Sequence, residues 1–343
     1  MMLQIDPKNL LIQKTLTETI FPEGDSGSPK SLDRIISDFD YTNYHISTLP
    51  DNKDLLLISL YLKCWTDLAQ YGVEKYLSTK YAPFSEYLTV LTGNDIETSF
   101  NFSMVLNLEN LNSLGSEEVK LAIIDELALL KRNAMASAFE KAFARYDELA
   151  ATYADSNTYS EEVQAELQKE QVLVINYRES DESIYIKPSF DRVTVVFLTI
   201  FQDETDKIFG KVFLQEFVDA RRRSVQTAPQ VLYSHKDPPL DIQSVALSSN
   251  DENKGYITFV LFPRHLVKGD RRENCITHVQ FFRNYFHYHI KCSKAYMHSR
   301  MRLRVKEYLK VLKRAQPEAV DEDGKAIDNR KTASGRRFEV GRV

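Results

Sequence analysis

From Glu273 to Arg314 the chain runs 42 residues without a proline or glycine. An uninterrupted stretch of this length predicts one α-helix of about 60 Å, longer than a domain of ordinary size is wide. Its C-terminal end is therefore expected to extend past the sheet on which its first turns pack. Phe282, Phe286, Ile290, Met297, Met301, Val305, Leu309 and Leu312 recur mostly at three- and four-residue steps, interrupted once at Ser293, and form an apolar stripe. Beside that stripe the chain turns cationic. Between Lys291 and Arg314 stand nine Lys or Arg and a single acid, Glu307, which is +8 in a chain whose total is −5, so the remainder sums to −13. Such asymmetry points to recognition of an acidic partner, and an exposed apolar stripe asks for a partner helix.

The preceding sequence supplies two units of similar plan, each a set of strands followed by a long helix. A short amphipathic helix carries Leu10, Leu11, Ile12, Leu16 and Ile20, and the polar run 22–31 reads as a loop. "DYTNYHIST", "DLLLISLYLKC" and "TSFNFSMVLNLENL" read as strands, with a helix over "DLAQYGVEKYLSTKYA". One continuous helix is expected from Glu117 to Ala154, capped by Ser116. Polar residues 153–170 mark the boundary between a first unit, 1–152, and a second, 171–316. In the second, "QVLVINYR", "SIYIKP", "APQVLYSHKDPP" and "GYITFVLFPRH" read as strands, and "DRVTVVFLTIFQD" with "KIFGKVFLQEFVDARR" as a hairpin. The polar tail 317–343 is expected to be disordered.

Several chemistries are excluded by spacing. Cys275, His278, His289 and Cys292 are spread over about 25 Å of helix and cannot share one ion, and His287 and His289 diverge around it. The chain has no HExxH, GxSxG, GxxxxGK[ST] or GxGxxG motif, and acids such as Asp38 and Asp40 stand in polar contexts. No cofactor and no enzymatic activity are expected. With Cys64, Cys275 and Cys292 the only cysteines, no disulfide framework is expected, and a reducing, cytosolic setting follows. The N-terminus does not read as a signal peptide, and no run is apolar enough to span a bilayer.

The blocks "DRVTVVF", "GKVFLQEF", "TAPQVLYSHKDPPL", "GYITFVLFPRH" and "FHYHIKCSKAYMHSRMR", with "SDFDYTNYHIS", "VLNLENL" and "LKRNAMASAFEKAF" in the first half, closely resemble the p34-Arc family, the second subunits of the actin-related protein 2/3 complex. The acidic linker and tail look like those of a fungal member. The resemblance implies an α+β fold of two similar α/β domains, each a mainly antiparallel sheet packed on a long helix, plus an extended C-terminal helix. It implies a non-enzymatic scaffold that pairs with the complex's fourth subunit, holds the two actin-related subunits, touches the side of the mother filament and supports branched nucleation. It also implies a cytoplasmic place in the actin cytoskeleton, at cortical patches in a fungus. On this reading Lys291, Lys294, Arg300, Arg302 and Arg304 contact the filament, and Met297, Met301, Val305, Leu309 and Leu312 face the partner helix. The +8 cluster alone leaves one alternative, a peripheral binder of anionic lipid or nucleic acid.

Overall fold

The computed structural model describes residues 6–22, 31–154, 160–180, 182–246 and 252–315. The expected tail lies outside them, as does most of the expected loop at 22–31. Helix α1 (Leu10–Ile20) is followed by strands β1 (Asp33–Asp38), β2 (Thr42–Thr48) and β3 (Leu55–Leu62), helices α2 (Trp65–Gln70) and α3 (Val73–Tyr81), and strands β4 (Leu88–Val90) and β5 (Phe102–Asn107). Helices α4 (Leu108–Leu114), α5 (Glu117–Ala128) and α6 (Leu130–Thr152) close the first half. Helix α7 (Glu161–Gln168) lies in the stretch that reads as a polar linker, and its Leu167 is buried. The second half comprises β6 (Leu173–Ser180), β7 (Glu182–Pro188), β8 (Val193–Ile200), α8 (Glu204–Arg223), β9 (Gln230–His235), β10 (Lys254–Leu261) and α9 (Asp270–Arg314).

Each half builds one five-stranded antiparallel sheet, ordered β1-β2-β3-β5-β4 and β6-β7-β8-β10-β9. The orders are identical. In both halves helical residues connect the third strand to the fourth, and a long helix follows the last strand. The α+β fold of two similar domains follows from these pairings.

Two expectations are corrected. "KIFGKVFLQEFVDARR" is not the second arm of a hairpin but helix α8. Asp203 caps it, accepting the Asp206 N–H at 2.8 Å, with Glu204 in the first turn and Arg221, Arg222 and Arg223 in the last. Asp206, Gly210 and Leu214, at four-residue steps, are its buried line. The long helix at 117–154 is also broken, at Leu129. The carbonyl of Ala128, which would accept within a continuous helix, accepts the Asn9 N–H at the start of α1 at 2.9 Å. Leu129 turns back to Glu126 at 3.2 Å.

Helix α6 lies against β3, β7 and β8 and joins the two halves. From Arg132 to Phe139 every residue is buried, as a helix covered on all sides requires. Ala134, Ala136, Ser137 and Ala138 let its neighbours approach closely. The second sheet is buried on both faces. One faces the main core, and a smaller cluster of Tyr185, Val196, Leu198, Ile242 and Tyr256 covers the other. This explains why β8 reads as a continuous apolar run rather than an alternating one.

Candidate interaction surface

The first half of α9 is anchored by packing and charge. Ile276, Val279, Phe282, Phe286 and Ile290 are buried at helical spacing. Phe282 sits 4.5 Å from Phe259 and 5.5 Å from Phe197, and Phe286 lies 5.8 Å from Phe213 of α8, centroid to centroid. These offset and edge-on rings form one continuous aromatic cluster under the helix. On the polar side Arg132 of α6 donates to Thr277 Oγ1 at 3.0 Å and to the Glu273 carbonyl at 2.8 Å, and pairs with the Glu273 carboxylate at 2.6 Å. Arg272 reaches both oxygens of Asp147, at 3.0 and 2.9 Å. Arg283 pairs with the buried Glu182 of β7 at 2.6 Å. Burial raises the Glu182 carboxyl above its ordinary pKa, against the opposing pull of Arg283 and Arg178.

Burial along α9 ends at Ile290. The residues from Lys291 to Ala315 are exposed, apart from the half-buried Lys294. Met297, Met301, Val305, Leu309 and Leu312 are 46, 57, 56, 47 and 44% exposed. At about 100° per residue they fall within a single stripe. Tyr308, 64% exposed, shares that stripe and was missed in the sequence because it stands one residue off the dominant steps. His298, Arg302, Lys306, Lys310 and Lys313 line a shallow groove with Met301, Val305 and Leu309.

The five cations singled out in the sequence do not share one face. The helical period puts Lys291 and Arg302 on one flank of the stripe, Arg300 and Arg304 on the other, and Lys294 in line with it. Arg300 donates to the Tyr296 hydroxyl at 2.9 Å and lies over that ring, and Arg304 lies 3.9 Å from Glu307. The other three are not brought together with this pair.

His278, His287 and His289 of α9 are engaged within the fold, as are Cys64 and Cys275, whereas His298 and Cys292 are exposed. His289 stacks on Phe213 at 5.1 Å and meets Tyr285 edge-on at 4.3 Å. The His278 Nδ1 lies 2.7 Å from the Asn274 carbonyl, and His287 faces Glu182 at 3.7 Å. Burial pushes the Cys275 thiol up to about 12, and that of Cys64 to about 12 as well, which keeps both protonated and unreactive. Among the described residues no three His, Cys, Asp or Glu side chains are grouped to hold a metal ion. No described helix is long and apolar enough to cross a membrane.

Fold and surface together define a class: a two-domain α+β protein whose last helix is clamped at one end and offers an uncovered, apolar and cationic surface at the other. The particular family follows from comparison with known proteins. The family model described as "Arp2/3 complex, 34 kD subunit p34-Arc" matches residues 58–319, and the chain belongs to the p34-Arc family. A protein of Schizosaccharomyces pombe named Actin-related protein 2/3 complex subunit 2 is 43% identical over 338 residues, which is 98% of this chain and 99% of the relative. A Dictyostelium discoideum protein of the same name is 33% identical over 300 residues, 87% of this chain and 89% of its own length.

Proposed function

We propose that this chain is a non-enzymatic scaffold subunit of an actin-related protein 2/3 complex, working in the cytoplasmic actin cytoskeleton. It supports branched nucleation by binding its neighbours and the side of the mother filament. In a fungus this places it at cortical actin patches. The observation that carries the reading is the uncovered stripe Met297, Met301, Val305, Leu309 and Leu312 on a helix whose other end is locked into the fold. A stripe of this kind fits a partner helix, for which the fourth subunit is the candidate, with the two actin-related subunits held nearby. The flanking cations, Lys291, Lys294, Arg300, Arg302 and Arg304, fit an acidic filament surface. On this reading one flank, Lys291 and Arg302 or Arg300 and Arg304, faces the filament while the other pairs within the complex. The domain division at 1–152 and 171–316, joined through 153–170, belongs to the same proposal.

The test is to place aspartate at both Val305 and Leu309. Each side chain leaving water in a helix pair is worth about 1.5–3 kcal/mol, and a buried aspartate adds a further penalty. The variant chain should keep its own melting temperature and elute apart from the other subunits on gel filtration. An intact complex would refute the pairing. The lipid or nucleic-acid reading needs only the charge. Liposome flotation and duplex titration of the double variant, which keeps every cation, distinguish it from assembly.

A further inference from the structure

Helix α8 runs out on Arg221, Arg222, Arg223, Ser224 and Val225. Two adjacent arginines, one further residue, a serine and an apolar residue, in that order, occur once in the chain. Cations in a last turn suit the helix dipole. The dipole asks neither for a hydroxyl directly after them nor for an apolar side chain left in water beyond it. Ser224 is exposed, and Val225 is 49% exposed. Arg222 and Arg223 are exposed too, and neither has a hydrogen bond or ion pair among the described residues.

The backbone around the serine is lightly held. The Ser224 N–H, the Val225 N–H and the Ser224 hydroxyl all donate to the single carbonyl of Ala220, at 2.9, 2.9 and 3.1 Å. A carbonyl oxygen has two lone pairs, so three donors share it imperfectly, and the last turn of a helix is where fraying begins. Just beyond, the chain is fixed again. Arg264 donates to the Gln226 carbonyl at 3.2 Å, and His265 Nε2 lies 2.6 Å from the Thr227 carbonyl. Opening of 221–225 therefore breaks the shared bonds to Ala220. Of the arginine side-chain contacts it releases those of Arg221, with the Ala228 carbonyl at 3.0 Å and the Phe262 ring at 6.0 Å.

We propose that Ser224 is a phosphorylation site for a protein kinase that recognises basic segments. Arg221 and Arg222 enter carboxylate-lined pockets of the kinase, where guanidinium and carboxylate join through charge-assisted hydrogen bonds, and Val225 enters an apolar one. The γ-phosphoryl group of ATP passes to the Ser224 oxygen. The new O–P bond forms as the bond from the γ-phosphorus to the β–γ bridging oxygen breaks, the hydroxyl proton goes to an aspartate base of the kinase, and ADP leaves. The product carries a charge of about −2 beside three arginines and so cancels most of the positive charge at this end of α8. The site is independent of the assembly role proposed above.

The experiment incubates the full, folded chain with ATP and the catalytic subunit of a cyclic-AMP-dependent protein kinase, and maps the phosphate by mass spectrometry. A synthetic peptide of residues 218–230 is the unfolded comparison, with Ser224→Ala and Arg222→Ala as variants. Phosphate is expected at Ser224 in the folded chain, and that signal should vanish in Ser224→Ala. Arg222→Ala removes an exposed side chain that pairs with nothing in the fold, so the variant should melt as the parent does and be phosphorylated about tenfold more slowly. Modification of the peptide but not of the folded chain would show that the turn stays closed and would overturn the proposal. Phosphate at other positions only, or an unchanged rate in Arg222→Ala, would overturn it as well.

Discussion

Gly210 sits in the middle of α8, where glycine is ordinarily a weakness. Replacing it with alanine at an unobstructed helix position should stabilise by about 1 kcal/mol. Here the sign should reverse. A Cβ on Gly210 would lie 2.7 Å from Phe201 Cε1, 3.2 Å from its Cζ and 3.0 Å from Phe286 Cζ. Comfortable carbon contacts are about 3.5–4.0 Å. Neither ring is free to retreat. Both are fully buried, they meet each other edge-on at 6.2 Å, and Phe286 is packed on Phe213 and Phe282 as well. Overpacking of a filled core costs about 1–3 kcal/mol, and the rigidity of this cluster argues for the upper part of that range. After subtracting the helix gain, Gly210→Ala should destabilise by about 1–2 kcal/mol, equivalent to a fall in Tm of about 2–8 °C for a domain of this size. Urea and thermal melts of the variant, beside Lys211→Ala at the exposed neighbouring position, measure it. The Lys211 change should stay within about 0.5 kcal/mol. A Gly210→Ala protein as stable as the parent, or more so, would refute the argument that the aromatic cluster locks α8 against α9.

Further outcomes are expected elsewhere. His45 lies between Glu97, 2.6 Å from its Nδ1, and Asp33, 2.9 Å from its Nε2; partial burial works against its charge, but the two carboxylates prevail and raise its pKa. Its contribution is therefore complete below the unfolded pKa, about 6.5, and is lost as pH climbs through the raised folded value; His45→Gln should flatten that part of the stability profile in urea melts at several pH values, and an unchanged slope would count against the carboxylate clamp. Arg132→Ala removes the donors to Thr277 and Glu273 from a buried site and should cost about 3 kcal/mol in a urea melt; a loss under about 1 kcal/mol would show that Arg132 does not anchor α9. Reversing Lys294, Arg300 and Arg302 to glutamate should weaken cosedimentation of the assembled complex with filaments, most visibly at low salt, and unaltered cosedimentation would reject these residues as the filament contact.

The features legible in the sequence were those whose physics is local. The stripe on α9, the run from Glu273 to Arg314 and the alternation in β2 all follow from periodicity, and the Ser116 cap was visible as a residue type in its usual place. Helix α8 was misread because Ile208, Val212, Phe213 and Phe217 favour strands by composition. The contrary signals, Asp203 and Glu204 at the start and three arginines at the end, were present but weaker. The shared plan of the two halves also carried a clue, since α2 and α3 occupy the matching place after β3. The break at Leu129 depends on Asn9, more than a hundred residues earlier, and no window of sequence contains both partners. For the surface, charge and polarity were legible as totals. The division of four of the five cations between two flanks, with Lys294 in line with the stripe, needed the helical period applied residue by residue.

The clamped root of α9 has a kinetic and entropic consequence for its free end. A separate peptide spanning Lys291 to Ala315 would have to nucleate its own first turn, a step disfavoured by a factor of about a thousand, and would be largely coil in water. In the intact chain that step is already complete at Ile290, and each later residue only elongates an existing coil of hydrogen bonds. A binding protein thus meets a template ordered in advance, and association need not await folding of the segment it grips.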